Sequence, residues 1–141
     1  MNGTIIGGGA WGTTLAQVLS DNRHDVLVYD INQAHVDKIK GNQHPFFDTT
    51  IPQNIHATMR LSEALDHADT ILLSLPTKVI RTVLREINPL ITNPKLFINV
   101  SKGIEPDTLK RVSEIAEEEI DVHKSEGFVA LTGPSHAEEV I

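Results

Sequence analysis

A cluster of glycines near the amino terminus restricts the possible folds of this chain more than any other stretch. Residues 4–16 read T-I-I-G-G-G-A-W-G-T-T-L-A, and Gly7, Gly9 and Gly12 have the spacing G-x-G-x-x-G. In that spacing the first glycine permits a tight strand-to-helix turn, the second lets a pyrophosphate approach the backbone, and the third allows close helix packing. The pyrophosphate then binds N–H groups at the positive end of the helix dipole. Glycine-rich turns are common, so the elements around the motif decide its meaning.

Strands and helices alternate along the rest of the chain, as judged by the spacing of apolar residues. We predict strands at residues 3–6, 25–30, 55–59, 69–75, 95–100 and 127–132. We predict helices at residues 10–20, 31–40, 61–67, 77–87 and 106–120, with a further helix from Ser135 and a long loop at residues 41–54. Thr77 is predicted to cap its helix, and Ala34 and Leu109 are predicted to face the core. This order is typical of the α/β class, with a Rossmann-type doubly wound, mainly parallel sheet and helices on both faces.

The glycine motif lies between a predicted strand and a predicted helix, and Asp30 ends the second strand, 18 residues after Gly12. In dinucleotide-binding proteins an acidic residue about 20 positions on binds the ribose hydroxyls. The context therefore predicts that Gly7, Gly9, Gly12 and Asp30 bind a dinucleotide. A carboxylate accepts hydrogen bonds from the ribose hydroxyls of NAD and repels the 2′-phosphate of NADP, and residues 31–34 contain no arginine. NAD is the predicted cofactor, with NADP as the alternative.

Composition and charge exclude several classes of protein. The chain has 141 residues, about the length of one domain, and it has no cysteine, so disulfides and thiolate metal sites are excluded. Its seven histidines show no metal-ligand spacing, so we predict no metal site. The net charge of −7 argues against nucleic acid or an anionic membrane as the main partner. No apolar run approaches the roughly 20 residues of a membrane span, and no signal peptide is seen, so we expect a cytoplasmic protein.

Ligands bind at the carboxyl ends of the strands in an open α/β sheet. Besides the glycine loop and Asp30, that edge is predicted to hold residues 76–77, 102–103 and 133–135. Lys102 is the one cation of this set, and it can meet a phosphate or polarise a carbonyl. The alternative is an ordinary solvated lysine in a surface turn. The sequence shows no catalytic triad and no paired carboxylates.

Four segments together resemble a known family. They are G-G-G-A-W-G-T-T-L-A, S-L-P-T-K, V-S-K-G-I-E and L-T-G-P-S-H-A-E-E-V, and the last two are far more specific than the glycine motif. These segments resemble the amino-terminal half of bacterial NAD(P)-dependent glycerol-3-phosphate dehydrogenase. They occur in the same order as in that family, and the resemblance covers the whole chain. The resemblance implies an oxidoreductase that interconverts dihydroxyacetone phosphate and sn-glycerol 3-phosphate by hydride transfer with NAD(P)H, for glycerophospholipid synthesis.

The resemblance also implies roles for particular residues. It implies cofactor contacts at Ala10, Trp11, Lys102 and Ala137, and substrate contacts at Lys102, Gly133 and Ser135. The chain departs from the family at two places. Ala10 stands where many members have serine, which removes a hydroxyl donor near the pyrophosphate. Asp30 and Asn32 stand where bacterial members often have a basic or neutral pair, which argues against NADP.

The family resemblance places a catalytic lysine and a helical substrate domain after Ile141. We therefore assign no catalytic residue within residues 1–141. We expect this stretch to be an NAD(P)-binding Rossmann domain that binds cofactor and does not catalyse alone. A homodimer is a possibility for the full-length protein.

Two alternatives remain open from the sequence. The first is the cofactor domain of another two-domain dehydrogenase that acts on a hydroxy acid or a sugar acid, although the segment G-P-S-H-A-E-E argues against it. The second is a non-catalytic NAD-binding module. The sequence after Ile141 distinguishes them, because a helical domain with an inward-facing lysine would favour the enzyme.

Overall fold

Six short strands pair into one parallel sheet in the computed structural model, which describes residues 2–131. The strands are β1 (Asn2–Ile6), β2 (Asp25–Tyr29), β3 (Ile55–Thr58), β4 (Thr70–Leu73), β5 (Lys95–Asn99) and β6 (Ser125–Ala130). The helices are α1 (Ala10–Asp21), α2 (Gln33–Lys40), α3 (Leu61–His67), α4 (Thr77–Ile87) and α5 (Val112–Glu119), with 3-10 turns at Asn88–Leu90 and Val122–Lys124. The predictions for Gly133, Ser135 and Ala137, and for a helix from Ser135, lie outside the described residues.

The sheet has the strand order β3-β2-β1-β4-β5-β6, and every neighbouring pair is parallel. The chain winds outward from β1 in both directions, so the order reverses between β1 and β4. The hydrogen-bond ladder continues past the strand ends: the Gly7 N–H donates to the Tyr29 carbonyl at 2.8 Å, and the Ser74 N–H to the Ile6 carbonyl at 2.9 Å. The predicted Rossmann-type sheet is confirmed, and its carboxyl ends lie along one edge, where such sheets bind ligands.

Helices cover both faces of the sheet, because strand residues alternate between two hydrophobic cores. On one face α1 and α2 pack against a core that includes Ile5. On the other face α3, α4 and α5 pack against a core that includes Ile6. The helix residues in these cores include Ala16, Val36 and Ile39 on the first face and Leu65, Leu84 and Ile115 on the second. Within residues 2–131, no helix has both the length and the apolar character that a membrane crossing requires.

The helix predicted at residues 106–120 begins later, as α5. Asp107 and Leu109 have positive φ values of 72° and 60°, which an α-helix does not allow. The residues before α5 form a compact turn instead, in which the Glu105 N–H donates to the Lys110 carbonyl at 2.8 Å. Leu109 is 69% exposed, so its predicted place in the core is wrong.

Two helix starts also differ from the predictions. α2 begins later than predicted, because the Asn32 side chain accepts hydrogen bonds from the N–H groups of Ala34 at 2.9 Å and His35 at 3.4 Å. Ala34 is exposed rather than buried, because it lies on the opposite side of the helix from the buried Val36. Thr77 does not cap α4, since Pro76 occupies the N-cap position and no side-chain capping bond forms there.

Lys95 is a buried cation at the amino end of β5. Its residue is 2% exposed, and its Nζ donates to the Leu65 carbonyl at 2.7 Å, to the Ala68 carbonyl at 2.9 Å and to Asp69 Oδ1 at 3.1 Å. The last carbonyls of a helix have no partner within it. One lysine side chain therefore satisfies the end of α3 and ties it to the sheet.

We expect Lys95→Met to destabilise the protein by about 1–3 kcal/mol, because buried carbonyls lose their donor while the methylene packing is kept. Urea unfolding at neutral pH measures the change. Lys40→Met, at an exposed position at the end of α2, is the control and should change stability by less than about 0.5 kcal/mol. Equal losses in the two variants would contradict this role for Lys95.

Candidate functional site

The glycine loop between β1 and α1 is built from backbone contacts that leave no room for side chains. A Cβ at Gly7 would lie 2.0 Å from the Ser74 carbonyl oxygen, and a Cβ at Gly12 would lie 2.0 Å from the Gly7 carbonyl oxygen. Gly7 also has a φ of 116°, which residues with a side chain rarely adopt. The loop, the first turn of α1 and the end of β4 are therefore in direct backbone contact.

Gly9 differs from the two closed glycines, because a Cβ there would meet no atom within 4 Å. Gly9 is also the N-cap of α1, and α1 begins at Ala10 without a side-chain capping bond. The N–H groups of a first helical turn lack intrahelical partners and attract anions. The open space at Gly9 therefore faces a helix end that favours negative charge.

Asp30 follows β2, and its carboxylate lies against the glycine loop. A Cβ at Gly8 would lie 2.8 Å from Asp30 Oδ2. The Asp30 side chain is 13% exposed; its Oδ1 accepts from the Asn32 N–H at 3.0 Å, and its Oδ2 lies 2.9 Å from His35 Nδ1. The carboxylate is thus close to the loop and held by two hydrogen bonds.

Lys102 lies in the loop after β5, which neighbouring side chains attach to β4. The Asn99 Oδ1 accepts from the Ser101 N–H at 3.0 Å. The Ser101 Oγ accepts from the Leu75 N–H at 2.9 Å and donates to the Leu73 carbonyl at 3.2 Å. Lys102 itself is exposed and borders a cavity of about 420 Å³. The backbone that carries Lys102 is therefore fixed to the sheet.

An ion pair fixes the same loop from the other side. Arg81 of α4 forms a bidentate pair with Glu105, with both N–O distances 2.9 Å. The Arg81 Nη1 also donates to Glu118 at 2.8 Å and to Glu119 at 2.6 Å, both on α5. Hydrogen bonds from the Arg81 guanidinium lower the pKa of Glu105 from 4.5 to about 2, and the carboxylates raise the pKa of Arg81. The loop of Lys102 is thereby tied to α4 and α5.

The predicted site residues within the described part of the chain share one edge of the sheet. The glycine loop lies at its centre, Asp30 on the β2 side and Lys102 on the β4 and β5 side. The Lys102 loop also approaches the start of α4, since a Cβ at Gly103 would lie 4.0 Å from Thr77 Oγ1. A larger open groove of about 1000 Å³ lies between β3 and α3 and contains none of the predicted site residues.

His44 is a buried residue that the sequence did not single out. Its Nε2 lies 3.1 Å from Thr14 Oγ1, and the residue is 3% exposed. The Thr14 hydroxyl donates to the Ala10 carbonyl at 2.8 Å, so it must accept from the His44 Nε2–H. His44 Nδ1 accepts from the N–H groups of Phe46 at 3.1 Å and Phe47 at 3.3 Å. The imidazole is therefore neutral, burial lowers the pKa of His44, and the long loop is joined to α1.

The hydrogen bond between Asp30 and His35 was also not predicted from the sequence. A single histidine on an exposed helix gives no periodic signal. The available clue was positional: His35 lies five residues after Asp30, in the first turn of α2, which is close enough for the two side chains to meet. For His44 no comparable clue exists, since its partner Thr14 is 30 residues away in the chain.

Comparisons with known proteins show which family this chain resembles. A family model described as NAD-dependent glycerol-3-phosphate dehydrogenase N-terminus matches residues 3–141. A glycerol-3-phosphate dehydrogenase (NAD(P)+) of Acholeplasma laidlawii is 59% identical over 138 residues, which cover 98% of this chain and 41% of the relative. The protein of the same name from Onion yellows phytoplasma is 53% identical over 138 residues, which cover 98% of this chain and 42% of the relative.

A solved structure is similar as well. The crystal structure of glycerol-3-phosphate dehydrogenase from Coxiella burnetii superposes with a TM-score of 0.86 at 25% identity. The match covers 99% of this chain and 42% of that chain. The chain therefore spans about two fifths of the length of these three proteins.

Alanine at Gly12 should mainly reduce stability, whereas alanine at Gly9 should mainly reduce dinucleotide binding. Gly→Ala in a helix usually stabilises it, but a Cβ at Gly12 meets backbone, so we expect Gly12→Ala to destabilise the protein by about 1–3 kcal/mol. Gly9→Ala should leave stability within about 1 kcal/mol and weaken dinucleotide binding, because its Cβ enters the open space. Thermal unfolding and NADH titration measure the two effects. Unchanged NADH affinity in Gly9→Ala would remove that space from the site.

The Arg81–Glu105 pair predicts a specific acid sensitivity. Because the pKa of Glu105 is depressed in the folded protein, its contribution to stability is present above about pH 4.5 and is lost as the pH falls towards about 2. Glu105→Gln should therefore lower the melting temperature most near neutral pH, and the difference from wild type should shrink in acid. Glu117→Gln, at an exposed position on α5, is the control. A difference that stays constant from about pH 7 to about pH 3 would contradict the linkage.

Proposed function

The chain belongs to the NAD-dependent glycerol-3-phosphate dehydrogenase family, and we propose that it forms the cofactor-binding part of such an enzyme. The proposed reaction interconverts dihydroxyacetone phosphate and sn-glycerol 3-phosphate with NAD(P)H, and it supplies glycerophospholipid synthesis. Family membership supports the substrate. The proposal for the cofactor rests on the space around the glycines. A Cβ would meet backbone oxygens at Gly7 and Gly12, whereas at Gly9 it would meet no atom within 4 Å.

The chain fits a dinucleotide at the glycine loop. A pyrophosphate would enter the open space at Gly9, where no side chain stands in its way. The backbone N–H groups of Ala10 and Trp11, at the start of α1, would bind its oxygens. Because Ala10 has no hydroxyl, this site would hold the pyrophosphate through the backbone.

We propose that the cofactor is NAD in preference to NADP. The Asp30 carboxylate lies beside the loop, where it would accept hydrogen bonds from the 2′- and 3′-hydroxyls of the adenosine ribose. A 2′-phosphate at the same place would be repelled by the carboxylate charge. The relatives from Acholeplasma laidlawii and Onion yellows phytoplasma carry NAD(P)+ in their names, so the preference concerns Asp30 of this chain.

Lys102 is the residue proposed to contact both cofactor and substrate. The family resemblance also gives a cofactor contact to Ala137 and substrate contacts to Gly133 and Ser135. The loop of Lys102 is fixed by Ser101 on one side and by Glu105 on the other. A lysine on a fixed backbone loses less freedom on binding than one on a mobile loop, which favours a defined phosphate or carbonyl contact.

Bound nicotinamide supplies or accepts the hydride in this reaction. The Lys102 ammonium would attract the substrate phosphate or stabilise the negative charge that develops on the carbonyl oxygen. No residue of this chain is proposed as catalytic. The catalytic lysine is expected after Ile141, on the basis of the family resemblance.

The proposal is tested by an assay of the protein expressed from its complete gene. We expect it to oxidise NADH in the presence of dihydroxyacetone phosphate, and Lys102→Met to raise the KM for that substrate. Lys40→Met is the matched control and should leave the kinetics unchanged. Turnover only with a hydroxy acid or a sugar acid would identify another dehydrogenase. NADH binding without turnover of any of these substrates would favour a non-catalytic module.

Asp30→Arg should reverse the cofactor preference. The substitution removes the acceptor for the ribose hydroxyls and adds a cation that can meet a 2′-phosphate, so NADH should bind at least about tenfold more weakly and NADPH more tightly. Calorimetric titration with the two cofactors measures both changes. An unchanged ratio of the two affinities would show that Asp30 does not contact the ribose.

We also propose a cytoplasmic location and a homodimer for the complete protein. The absence of cysteine from residues 1–141 fits a reducing compartment. Cell fractionation and sedimentation of the complete gene product would test the location and the dimer separately.

A further inference from the structure

Asp30 keeps acceptor capacity although it already has two protein donors. A carboxylate offers about four acceptor positions, two on each oxygen. The Asn32 N–H uses one on Oδ1 at 3.0 Å, and His35 Nδ1 uses one on Oδ2 at 2.9 Å. One position remains on each oxygen, which matches the two hydroxyls of a ribose. The two bonds to Asn32 and His35 orient the carboxylate before any ligand binds.

Gly8 determines how closely this carboxylate lies to the glycine loop. Gly8 occupies a variable position of G-x-G-x-x-G, so the motif does not require glycine there. A Cβ at Gly8 would lie 2.8 Å from Asp30 Oδ2, 3.2 Å from Asp30 Cβ and 3.3 Å from Val28 Cγ1. The space that a side chain at this position would take is filled by Asp30.

His35 is fixed on its other side. Its ring lies against Phe46, with centroids 4.8 Å apart and planes inclined at 57°, and its side chain is 24% exposed. The Asn32 side chain accepts from the His35 backbone N–H, which places the residue in the first turn of α2. Because an ionised carboxylate only accepts hydrogen bonds, His35 Nδ1 must carry the proton that it shares with Asp30.

We propose that His35 is a positioning residue that sets the preference for NAD over NADP by orienting Asp30 against Gly8. The inference rests on the proposed function, since it concerns the ribose subsite of the cofactor. Without His35 the Asp30 carboxylate would still repel a 2′-phosphate, but it would have to be immobilised when the ribose binds, which weakens binding. Loss of the His35 donor therefore affects NADH more than NADPH.

Two substitutions at His35 separate the hydrogen bond from the packing. His35→Asn keeps an N–H donor near the position of Nδ1 and loses the ring, whereas His35→Phe keeps a ring against Phe46 and loses the donor. We expect His35→Phe to lower the ratio Kd(NADPH)/Kd(NADH) about threefold to tenfold, the usual worth of one hydrogen bond, and His35→Asn to keep it within about twofold of wild type. An unchanged ratio in His35→Phe, or equal losses in both variants, would overturn the proposal.

A double-mutant cycle tests whether His35 acts through Asp30. In the Asp30→Asn background, His35→Phe should change the ratio by less than about twofold, because the carboxylate that it orients is gone. The same loss in both backgrounds would show an independent effect and overturn the proposal. Gly8→Ala should also lower the ratio, since its Cβ displaces the carboxylate.

One measurement needs no cofactor. Long-range ¹⁵N–¹H NMR of the histidine rings should show His35 protonated at Nδ1 in the folded wild-type protein, and this signature should be lost on unfolding. A bare Nδ1 would overturn the contact with Asp30 whatever the protein binds. A protein with Nδ1 protonated that binds neither NADH nor NADPH would instead refute the proposed function and, with it, a role for His35 in cofactor choice.

Discussion

The backbone contact between Gly12 and Gly7 is the constraint on which the site depends. Neither residue has room for a Cβ, because the Gly7 carbonyl oxygen and the Ser74 carbonyl oxygen stand where those atoms would be. This contact lets α1 start directly at the end of β1 and brings the central strand of the sheet against the end of β4. The positive end of the α1 dipole therefore lies where the strand order reverses, between β1 and β4. A larger residue at either position would move the helix away from that point.

The parts of the fold set by local pattern could be predicted from the sequence. Continuous apolar runs predicted the inner strands β2 and β4 because both faces of the sheet are covered there, so successive residues such as Ile71 and Leu72 enter opposite cores. The glycine spacing and the acidic end of β2 depend on residues that are close in the chain, and they located the loop and Asp30 on one edge. The sheet and its direction followed from the alternation of strands and helices.

The parts set by distant partners could not be predicted. The apolar spacing of residues 106–120 indicated a helix, but Glu105 pairs with Arg81, 24 residues earlier, and the chain turns through Asp107 and Leu109 before α5 begins. No property of the segment itself reveals that pairing. Local competition decided the start of α2, since the Asn32 side chain accepts hydrogen bonds from its first N–H groups and delays the helix.

The two hydrogen-bonding roles of His44 make the long loop part of the same cooperative unit as the amino-terminal end of α1. Its Nε2–H bonds Thr14, whose hydroxyl bonds the Ala10 carbonyl, while its Nδ1 holds the backbone of Phe46 and Phe47. Opening the loop exposes a buried imidazole and at the same time removes the donor to the Thr14 hydroxyl in α1. Local unfolding in proteins proceeds in such contiguous units. The amide protons of the loop and of the first turns of α1 should therefore exchange with solvent together. A ligand that slows amide exchange in one segment should also slow it in the other.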